Sequence, residues 1–386
     1  MAKVRLGDIA TVVTKGTTPT TMGFQFEDGG INFVKIESIS EDGTFLKEKF
    51  SHISDECNVQ MRRSQLQEND ILFSIAGAIG RSAIVTKEIL PANTNQALAI
   101  IRVPKGKIDY NYLLYALSSS AINQQATQHQ QGVAQLNISL KNVSDFLLPI
   151  YTEAMQKQIV HNLKKIDKLI SLRKQQLAKL DELVKVRFVE MFENSLWPNT
   201  SLNDICSEIV DCPHSTPKYE GNLEHPAIRT TEIKKGYIDW DSMKYVSEEE
   251  YQKRIKSLKP VPGDIVYGRE GTYGNAAIIP DGYEFCLGQR VMLFRPNKTK
   301  CISEYVLYAI LSDHVKRQAD EKNVGATVPH VNVADAKQFD VVLPPLSIQN
   351  QFAAFVERVD QQKQTVQQSL EKLELMKKAL MQEYFG

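Results

Sequence analysis

Hydrophobic residues along the chain fall into short runs rich in Ile, Val and Phe, separated by Gly and Pro turns. Runs of this length and composition predict β-strands. Apolar periodicity near 110–120 and 303–313 predicts one short helix after each set of runs. A short strand or turn is predicted to open each set, at 6–9 and 202–205. The predicted strands lie at 31–39, 71–75, 83–86 and 97–103, and again at 227–233, 264–268, 276–280 and 290–295.

Two longer segments, Glu153 to about Glu193 and Ser347 to about Tyr384, contain no Pro or Gly. Each predicts a helix about 60 Å long at 1.5 Å per residue. Their apolar residues are spaced by three, four and seven positions, which is a heptad seam interrupted by Arg173 and Lys363. The seam residues are Ile159, Leu163, Ile166, Ile170, Leu177, Leu180, Val184 and Met191 in the first segment, and Phe352, Val356, Val359, Val366, Leu370, Leu373, Leu380 and Tyr384 in the second. We predict that the two helices pair; the alternative is that each packs only on its own domain.

The pattern occurs twice because the chain is one unit written twice. The motif Asp-Ile-hydrophobic-aromatic-x-x-x-Gly-x-x-Gly begins at Asp70 and again at Asp264, 194 residues later. Farther along, Tyr112 matches Tyr305 and Phe192 matches Phe385, both at a separation of 193 residues. A period of half the chain predicts two copies of one domain, each followed by a long helix.

Duplication favours antiparallel pairing of the helices, because the same face of each copy then meets the other, as in a two-fold dimer. We expect this pairing to place the two domains at opposite ends, related by an approximate two-fold axis. Separated polar loops on such an object suit duplex DNA, whose grooves recur about every 34 Å. Two different half-sites around an unread gap are the expected target.

Composition limits the classes of protein considered. With 386 residues, 42% of them hydrophobic and 24% charged, the chain is expected to be a soluble, cytoplasmic protein without a signal peptide. The formal net charge is zero, so a broad basic face that grips DNA alone is not expected, and basic partners are. The five cysteines lack metal-site or redox spacing and are interpreted as buried thiols.

The repeated motifs resemble those of the specificity subunits of type I restriction-modification systems. They are Gly263-Asp264-Ile265 with Gly271 and Gly274, the segment 132–139, and the helix entry at 343–351. The sequence departs from the pattern at Asn69, which replaces a glycine, at Ile150, and at 328–330.

This resemblance implies a mixed α/β (α+β) fold with an internal pseudo-two-fold repeat. Two target recognition domains with twisted sheets, 1–151 and 196–345, would alternate with two long helices, 152–195 and 346–386, that form an antiparallel coiled coil. It also implies double-stranded DNA, two modification subunits and restriction subunits as partners. S-adenosylmethionine is expected in the modification subunit, and no cofactor or metal in this chain.

No motif for base methylation, cofactor binding or nucleotide hydrolysis is found, which favours a non-catalytic chain. The glycine pairs at 77–80 and 271–274 are interpreted as hairpin turns that require positive φ. Two alternatives stay open: a coiled-coil scaffold whose domains bind proteins, and a self-sufficient DNA-modifying enzyme.

Candidate DNA contacts are polar residues of types that bind bases or phosphates and lie on equivalent loops of the repeat. Arg269 aligns with Ile75 and Arg290 with Ala97, so these two arginines are candidates for what distinguishes the half-sites. The candidates are Lys15, Thr17, Thr18, Lys35, Arg81, Gln96, Gln135 and Asn137 in the first copy, and His214, Ser215, Lys218, Arg229, Arg269, Tyr273, Gln289, Arg290 and His330 in the second.

Overall fold

The computed structural model describes residues 2–128, 137–193, 196–221, 224–271, 273–322 and 330–386. It divides into two compact units. The first comprises Met1–Lys174 and Gln368–Gly386, and the second comprises Gln175–Gln367. Each unit therefore contains the beginning of one long helix and the end of the other. Within the described ranges, no helix combines the length and apolar character needed to cross a membrane.

The first unit begins with a strand and a helical turn and leads into a long helix. Its strands are β1 (Lys3–Arg5), β2 (Val12–Lys15), β3 (Ile31–Val34), β4 (Ser51–Ile53), β5 (Ile71–Ser74), β6 (Ser82–Ile84), β7 (Ala92–Thr94), β8 (Leu98–Arg102) and β9 (Leu147–Pro149). Its helices are α1 (Leu6–Ile9), α2 (Asp55–Gln60), α3 (Tyr110–Leu117), α4 (Ser120–Gln128) and α5 (Leu140–Ser144), with short 3₁₀ turns at Pro19–Met22, Ile36–Ser38, Lys47–Lys49, Arg62–Ser64 and Lys87–Ile89. The long helix α6 (Glu153–Phe188) begins in this unit and ends in the second.

The second unit repeats this order after a π-helical turn, Val189–Glu193, that ends the first long helix. Its strands are β10 (Asn199–Ser201), β11 (Cys206–Asp211), β12 (Tyr219–Glu220), β13 (His225–Ile228), β14 (Tyr245–Val246), β15 (Ile265–Gly268), β16 (Ala276–Ile278), β17 (Cys286–Leu287), β18 (Val291–Pro296) and β19 (Asp340–Val342). Its helices are α7 (Leu202–Ile205), α8 (Glu248–Arg254), α9 (Ser303–Leu311), α10 (Asp313–Lys322) and α11 (Val333–Lys337). The second long helix, α12 (Leu346–Phe385), begins in this unit and ends in the first.

The segments 6–9 and 202–205 form helical turns, so of the predicted strand or turn it is the turn that opens each copy there. The strand lies just before, where β1 pairs with β9 and β10 with β19. In the second copy, Ser201 caps the turn by accepting a hydrogen bond from the Asp204 backbone, which favours helical geometry over an extended one.

Each unit contains a four-stranded antiparallel sheet, in the order β2-β8-β5-β6 or β11-β18-β15-β16. In β5, Ile71 and Phe73 lie in a core with the helices, whereas Leu72 lies in a second core on the opposite face. In β15 of the second unit, Tyr267 likewise lies in the core with the helices, and Val266 lies in the core on the opposite face. Burial of both faces explains why these strands are continuous apolar runs instead of alternating ones.

The repeated aspartate of the sequence motif is part of this framework. Asp70 and Asp264 are each only 1% exposed, and each binds an arginine of the neighbouring strand through two hydrogen bonds. The arginines are Arg102, at 2.6 Å for both bonds, and Arg295, at 2.9 and 2.7 Å. Hydrogen bonding to Asp70 raises the pKa of Arg102. The motif therefore has a structural role in both copies.

Asn69 occupies the glycine position before that aspartate without changing the turn. Its φ is +69°, and the φ of Gly263 in the second copy is +90°. Asparagine is one of the few residues with a side chain that adopts this left-handed conformation readily. The departure at Asn69 is therefore conservative.

The long helices pair antiparallel within each unit. In the first unit, Lys377 Nζ lies 2.6 Å from Asp167 Oδ1, and Tyr384 packs near the beginning of α6 beside Asn162. In the second, Phe352 at the beginning of α12 packs against Phe188 at the end of α6, with ring centroids 5.5 Å apart. The predicted pairing is confirmed within each unit, and the alternative that each helix packs only on its own domain is wrong.

The heptad seam accounts for most of this packing. Every predicted seam residue is buried or half-buried, and Phe188, Phe192 and Phe385 add aromatic contacts at the helix ends. Lys363, one of the polar interruptions, lies 2.7 Å from Asp181 of the other helix. Burial alone would lower the pKa of Lys363, but the carboxylates of Asp181 and Asp360 raise it.

Candidate nucleic-acid interface

The strand register brings the polar loops of each copy to one edge of the four-stranded sheet. In the first unit Lys15, the last residue of β2, pairs with Ala99, and Ser74, the last residue of β5, pairs with Leu98. The loops that follow β2 and β5 and the loop that precedes β8 therefore leave the sheet together. In the second unit the equivalent pairs are Asp211 with Met292 and Gly268 with Val291.

In the first unit, the loop that follows β2 contacts the loop that precedes β8. The Thr18 hydroxyl donates a hydrogen bond to Gln96 Oε1 at 2.5 Å, with Thr17 half-buried beside it. Lys35 follows β3, whose last residue pairs with Thr94, so it also lies near this edge. Its ammonium lies 4.3 Å from the ring centroid of Phe26.

The turn after β5 is a tight hairpin. Gly77 and Gly80 have φ of +72° and +91°, and Gly271 and Gly274 have φ of +70° and +89°. The prediction of hairpin turns with positive φ is confirmed. Arg81 at the base of the first turn donates to the Ile39 carbonyl at 3.0 Å, so it also ties the turn to the neighbouring segment.

A further strand-like segment lies against this turn in both copies. Asn137, which is exposed, forms an antiparallel bridge with Ala76, and His330, also exposed, forms the equivalent bridge with Glu270. The structure thus brings Asn137 and His330 to the sheet edge where the polar loops of their units lie. Gln135, the neighbouring candidate, lies outside the described residues.

The second unit keeps the loop contact of the first. Gln289 Nε2 donates to the Thr216 hydroxyl at 2.9 Å, which corresponds to the contact between Gln96 and Thr18 with the donor reversed. Ser215, His214 and Lys218 on the same loop are exposed. His214 Nε2 lies 3.7 Å from Asp211.

The second unit differs from the first in a chain of charged residues along the same edge. Arg269 forms an ion pair with Asp211, and its side chain is only 14% exposed. Arg290 Nε lies 3.1 Å from Glu270 Oε2, and its side chain is 66% exposed. Of the two arginines singled out by the repeat, Arg290 is therefore the more accessible to DNA.

Two more candidates have partners inside the unit. The Tyr273 hydroxyl donates to Asp320, and this hydrogen bond, together with burial, raises the pKa of Tyr273. Arg229 is bound to Glu232, which is fully buried, and its guanidinium lies 5.5 Å from the ring centroid of Tyr219. A DNA contact by Arg229 competes with this buried carboxylate.

Sequence reasoning missed Arg254, which connects the loops of the second unit. Its side chain is 2% exposed and donates to the carbonyls of Leu287, Gly288 and Ser215 at 2.8, 2.7 and 3.1 Å. It lies in a charged run, 248–254, that is typical of an exposed helix, so the sequence alone carried little signal. The acidic partners Asp211, Glu270 and Asp320 were also missed, although Glu270 follows Arg269 within the repeated motif.

All five cysteines are buried and free, which confirms their interpretation as buried thiols. Burial raises the pKa of Cys212. Cys212 lies close to His214 in the sequence, but the described residues include no group of three or more His, Cys, Asp or Glu side chains suited to hold a metal ion.

The repeated architecture matches a family model. The model of the type I restriction modification DNA specificity domain matches the chain twice, at residues 1–182 and 195–375. The chain belongs to this family. The resemblance inferred from the repeated motifs is thereby confirmed.

Curated relatives share this description. The type I restriction enzyme EcoBI specificity subunit of Escherichia coli is 30% identical over 173 residues, 43% of this chain and 36% of that protein. A putative type I restriction enzyme MjaX specificity subunit of Methanocaldococcus jannaschii is 28% identical over 217 residues, 54% of this chain and 50% of that protein. These two matches span half or less of the relatives' own length. The MjaVIII specificity subunit of the same archaeon is 23% identical across 98% of this chain and 90% of that protein.

Two solved structures share the fold along the whole chain. One, described as the structural basis of complex assembly and conformational transition of the type I restriction-modification system, has a TM-score of 0.64 at 17% identity and covers 100% of this chain and 97% of its own. The S subunit of a type I restriction-modification system from M. genitalium has a TM-score of 0.54 at 13% identity and covers 100% and 96%. At these identities the likeness concerns the fold.

Proposed function

We propose that this chain is the DNA sequence-specificity subunit of a type I restriction-modification complex. Each unit reads one half of an asymmetric, bipartite site in double-stranded DNA. The paired helices set the length of the unread gap and provide the docking surface for two modification subunits. Restriction subunits join the same complex, which acts in the cytoplasm, where chromosomal DNA lies.

The observation that carries this proposal is the set of polar loops that each unit gathers at one sheet edge. Both copies link these loops by a threonine–glutamine hydrogen bond, Thr18 with Gln96 and Thr216 with Gln289. The side chains around this link differ between the copies: Arg269 and Arg290 stand where the first copy has Ile75 and Ala97. A common framework with different polar groups suits two recognition surfaces for different sequences.

The proposed chain performs no chemistry itself. We assign methyl transfer, and the S-adenosylmethionine that it requires, to the modification subunits. The net charge of zero supports the need for basic partners, since Lys and Arg contacts with phosphates supply a large share of protein–DNA affinity.

The proposal is tested by binding of the full chain, co-purified with its modification subunits, to duplexes of random sequence. We expect selection of one bipartite sequence with a fixed gap, and an affinity that falls steeply as salt rises. A complex that forms normally but binds duplex DNA without sequence preference contradicts the proposal. It would favour the alternative of a coiled-coil scaffold that binds proteins, while S-adenosylmethionine binding by the isolated chain would favour a self-sufficient enzyme.

A further inference from the structure

Arg290 has an unusual backbone conformation at the candidate interface of the second unit. Its φ is +60°, and among the described residues only Asn69 is another non-glycine residue with positive φ. A side chain in this left-handed region costs free energy unless the surrounding structure holds it there, and such residues concentrate at functional sites. Ala97, the equivalent residue of the first unit, does not share this conformation.

Two hydrogen bonds hold the Arg290 backbone in place. Its carbonyl oxygen accepts from the Thr230 hydroxyl at 2.6 Å and from the Arg269 backbone N–H at 2.9 Å. Thr230 is 7% exposed, so its hydroxyl is shielded from competing water. The conformation is therefore fixed by buried contacts.

Glu270 orients the side chain that this backbone presents. Glu270 Oε2 lies 3.1 Å from Arg290 Nε, and the Glu270 side chain is 27% exposed, whereas that of Arg290 is 66% exposed. The guanidinium is thus held by a carboxylate that is mostly covered by protein while most of its own surface faces solvent. An arginine ordered before binding loses less conformational entropy when it binds a ligand.

The first unit has no such pair. Ala76 stands at the position of Glu270, and Ala97 at that of Arg290. The register also places Lys15 at the position of Asp211, which neutralises Arg269 in the second unit. The strained arginine and its carboxylate therefore belong to one half of the repeat only.

We infer that Arg290, held by Glu270 and Thr230, is a specificity-determining residue of the second unit that binds a guanine in the half-site read by that unit. Arginine binds the O6 and N7 atoms of guanine in the major groove through two parallel hydrogen bonds, which is the commonest specific base contact. Glu270 and Thr230 act as positioning residues. This inference rests on the proposed function, because it assigns one base contact within it.

The decisive variant is Arg290→Gly, which removes the side chain and also relieves the backbone strain. In the complex with modification subunits, we expect discrimination between guanine and other bases to fall about 5- to 150-fold at one position of one half-site. The other half-site is the internal control and should be unchanged. Because glycine adopts positive φ freely, the melting temperature should be equal to or above that of the wild type.

Variants of the positioning residues separate orientation from folding. Glu270→Gln should reduce discrimination at the same base position, by less than Arg290→Gly does. Glu270→Asp keeps the carboxylate, so its discrimination should lie between that of Glu270→Gln and that of the wild type. Thr230→Val, which keeps the shape of the side chain but removes the hydroxyl, should also reduce discrimination at the same base position. Ala97→Arg in the first unit is the matched control, and it should not create guanine discrimination because no carboxylate faces it from Ala76.

Three outcomes overturn the inference. One is unchanged discrimination in Arg290→Gly; another is an equal loss of affinity for every sequence, which indicates a phosphate contact; the third is a loss confined to the other half-site. These outcomes differ from failure of the proposed function, in which the wild-type complex itself shows no sequence preference.

Discussion

Replacement of Arg295 tests the structural role assigned to the repeated aspartate. The Asp264 side chain is 2% exposed and is bound by Arg295 through two hydrogen bonds and by the Val261 backbone N–H at 2.9 Å. Arg295→Met keeps the aliphatic stem and removes the cation, so the carboxylate loses its counter-charge. We expect the second unit to be destabilised.

The magnitude follows from the burial of the two partners. Removal of one partner from a buried ion pair costs about 3–5 kcal/mol, because the other charge is left without compensation. The Arg295 side chain is 25% exposed, so water enters the vacated space and the cost falls to or below the lower limit of this range, about 2–3 kcal/mol. With a urea dependence of about 1–3 kcal/mol per molar, the unfolding midpoint should fall by roughly 0.7–3 M.

The assay is urea unfolding of the full chain followed by tryptophan fluorescence. Both tryptophans, Trp197 and Trp240, belong to the second unit, so the signal reports on the unit that contains the pair. Lys253→Ala, which breaks an exposed ion pair with Glu249 on the same unit, is the control and should leave the midpoint unchanged.

A second substitution, in Asp264 itself, should offset part of the loss. Adding Asp264→Asn to Arg295→Met removes the uncompensated charge, so the double variant should be less destabilised than the sum of the two single variants. Additive effects, or a midpoint shift for Arg295→Met no larger than that of Lys253→Ala, would refute a structural role for the pair.

Three further predictions concern the interface, the helices and pH. Arg269→Ala removes a mostly covered side chain that is already paired with Asp211, so it should weaken discrimination in one half-site less than Arg290→Gly does. It should also lower the melting temperature by leaving Asp211 without this cation, and unchanged specificity would remove Arg269 from the candidates. Lengthening both helices by a matched turn, between Ser171 and Leu183 and between Gln364 and Met376, should change the unread gap in mapped sites, whereas altered half-sites would contradict the role of the helices as a spacer. Burial, with Asp360 and Asp181 nearby, raises the pKa of Tyr308 to about 12, above the value near 10 of an unfolded chain. The contribution of Tyr308 to stability is therefore present below pH 10 and is lost as pH rises toward 12. Tyr308→Phe should therefore lose less unfolding free energy than the wild type over that range, and equal losses in denaturant titrations would contradict this.

Much of the architecture could be predicted from the sequence because it follows from repetition and periodicity. The heptad seam from Ile159 to Met191 required only apolar spacing, and the strands at 71–75 and 264–268 required only short apolar runs between turns. Hairpin turns at Gly77 and Gly271 followed from the glycine spacing. Such features are local, and the duplication gave each of them a second, independent example.

The details of the interface could not be predicted in the same way because they depend on tertiary contacts. Nothing in the local sequence indicates that Asp211 pairs with Arg269, which is 58 residues away. The burial of Arg254 and the positive φ of Arg290 arise only when separate loops meet at the sheet edge. Residue type therefore identified Arg269 and Arg290 as equal candidates, and only the structure distinguished the covered side chain from the exposed one.

The central claim is that the two units read separate halves of one DNA site. Mapping of methylated bases in a genome that carries this chain with its modification subunits tests it most directly, with a strain that expresses Arg290→Gly for comparison. We predict a single asymmetric, bipartite motif with a fixed gap in the wild type, and relaxation of one half only in the variant. Methylation that does not depend on this chain, or a motif without a gap, would contradict the claim.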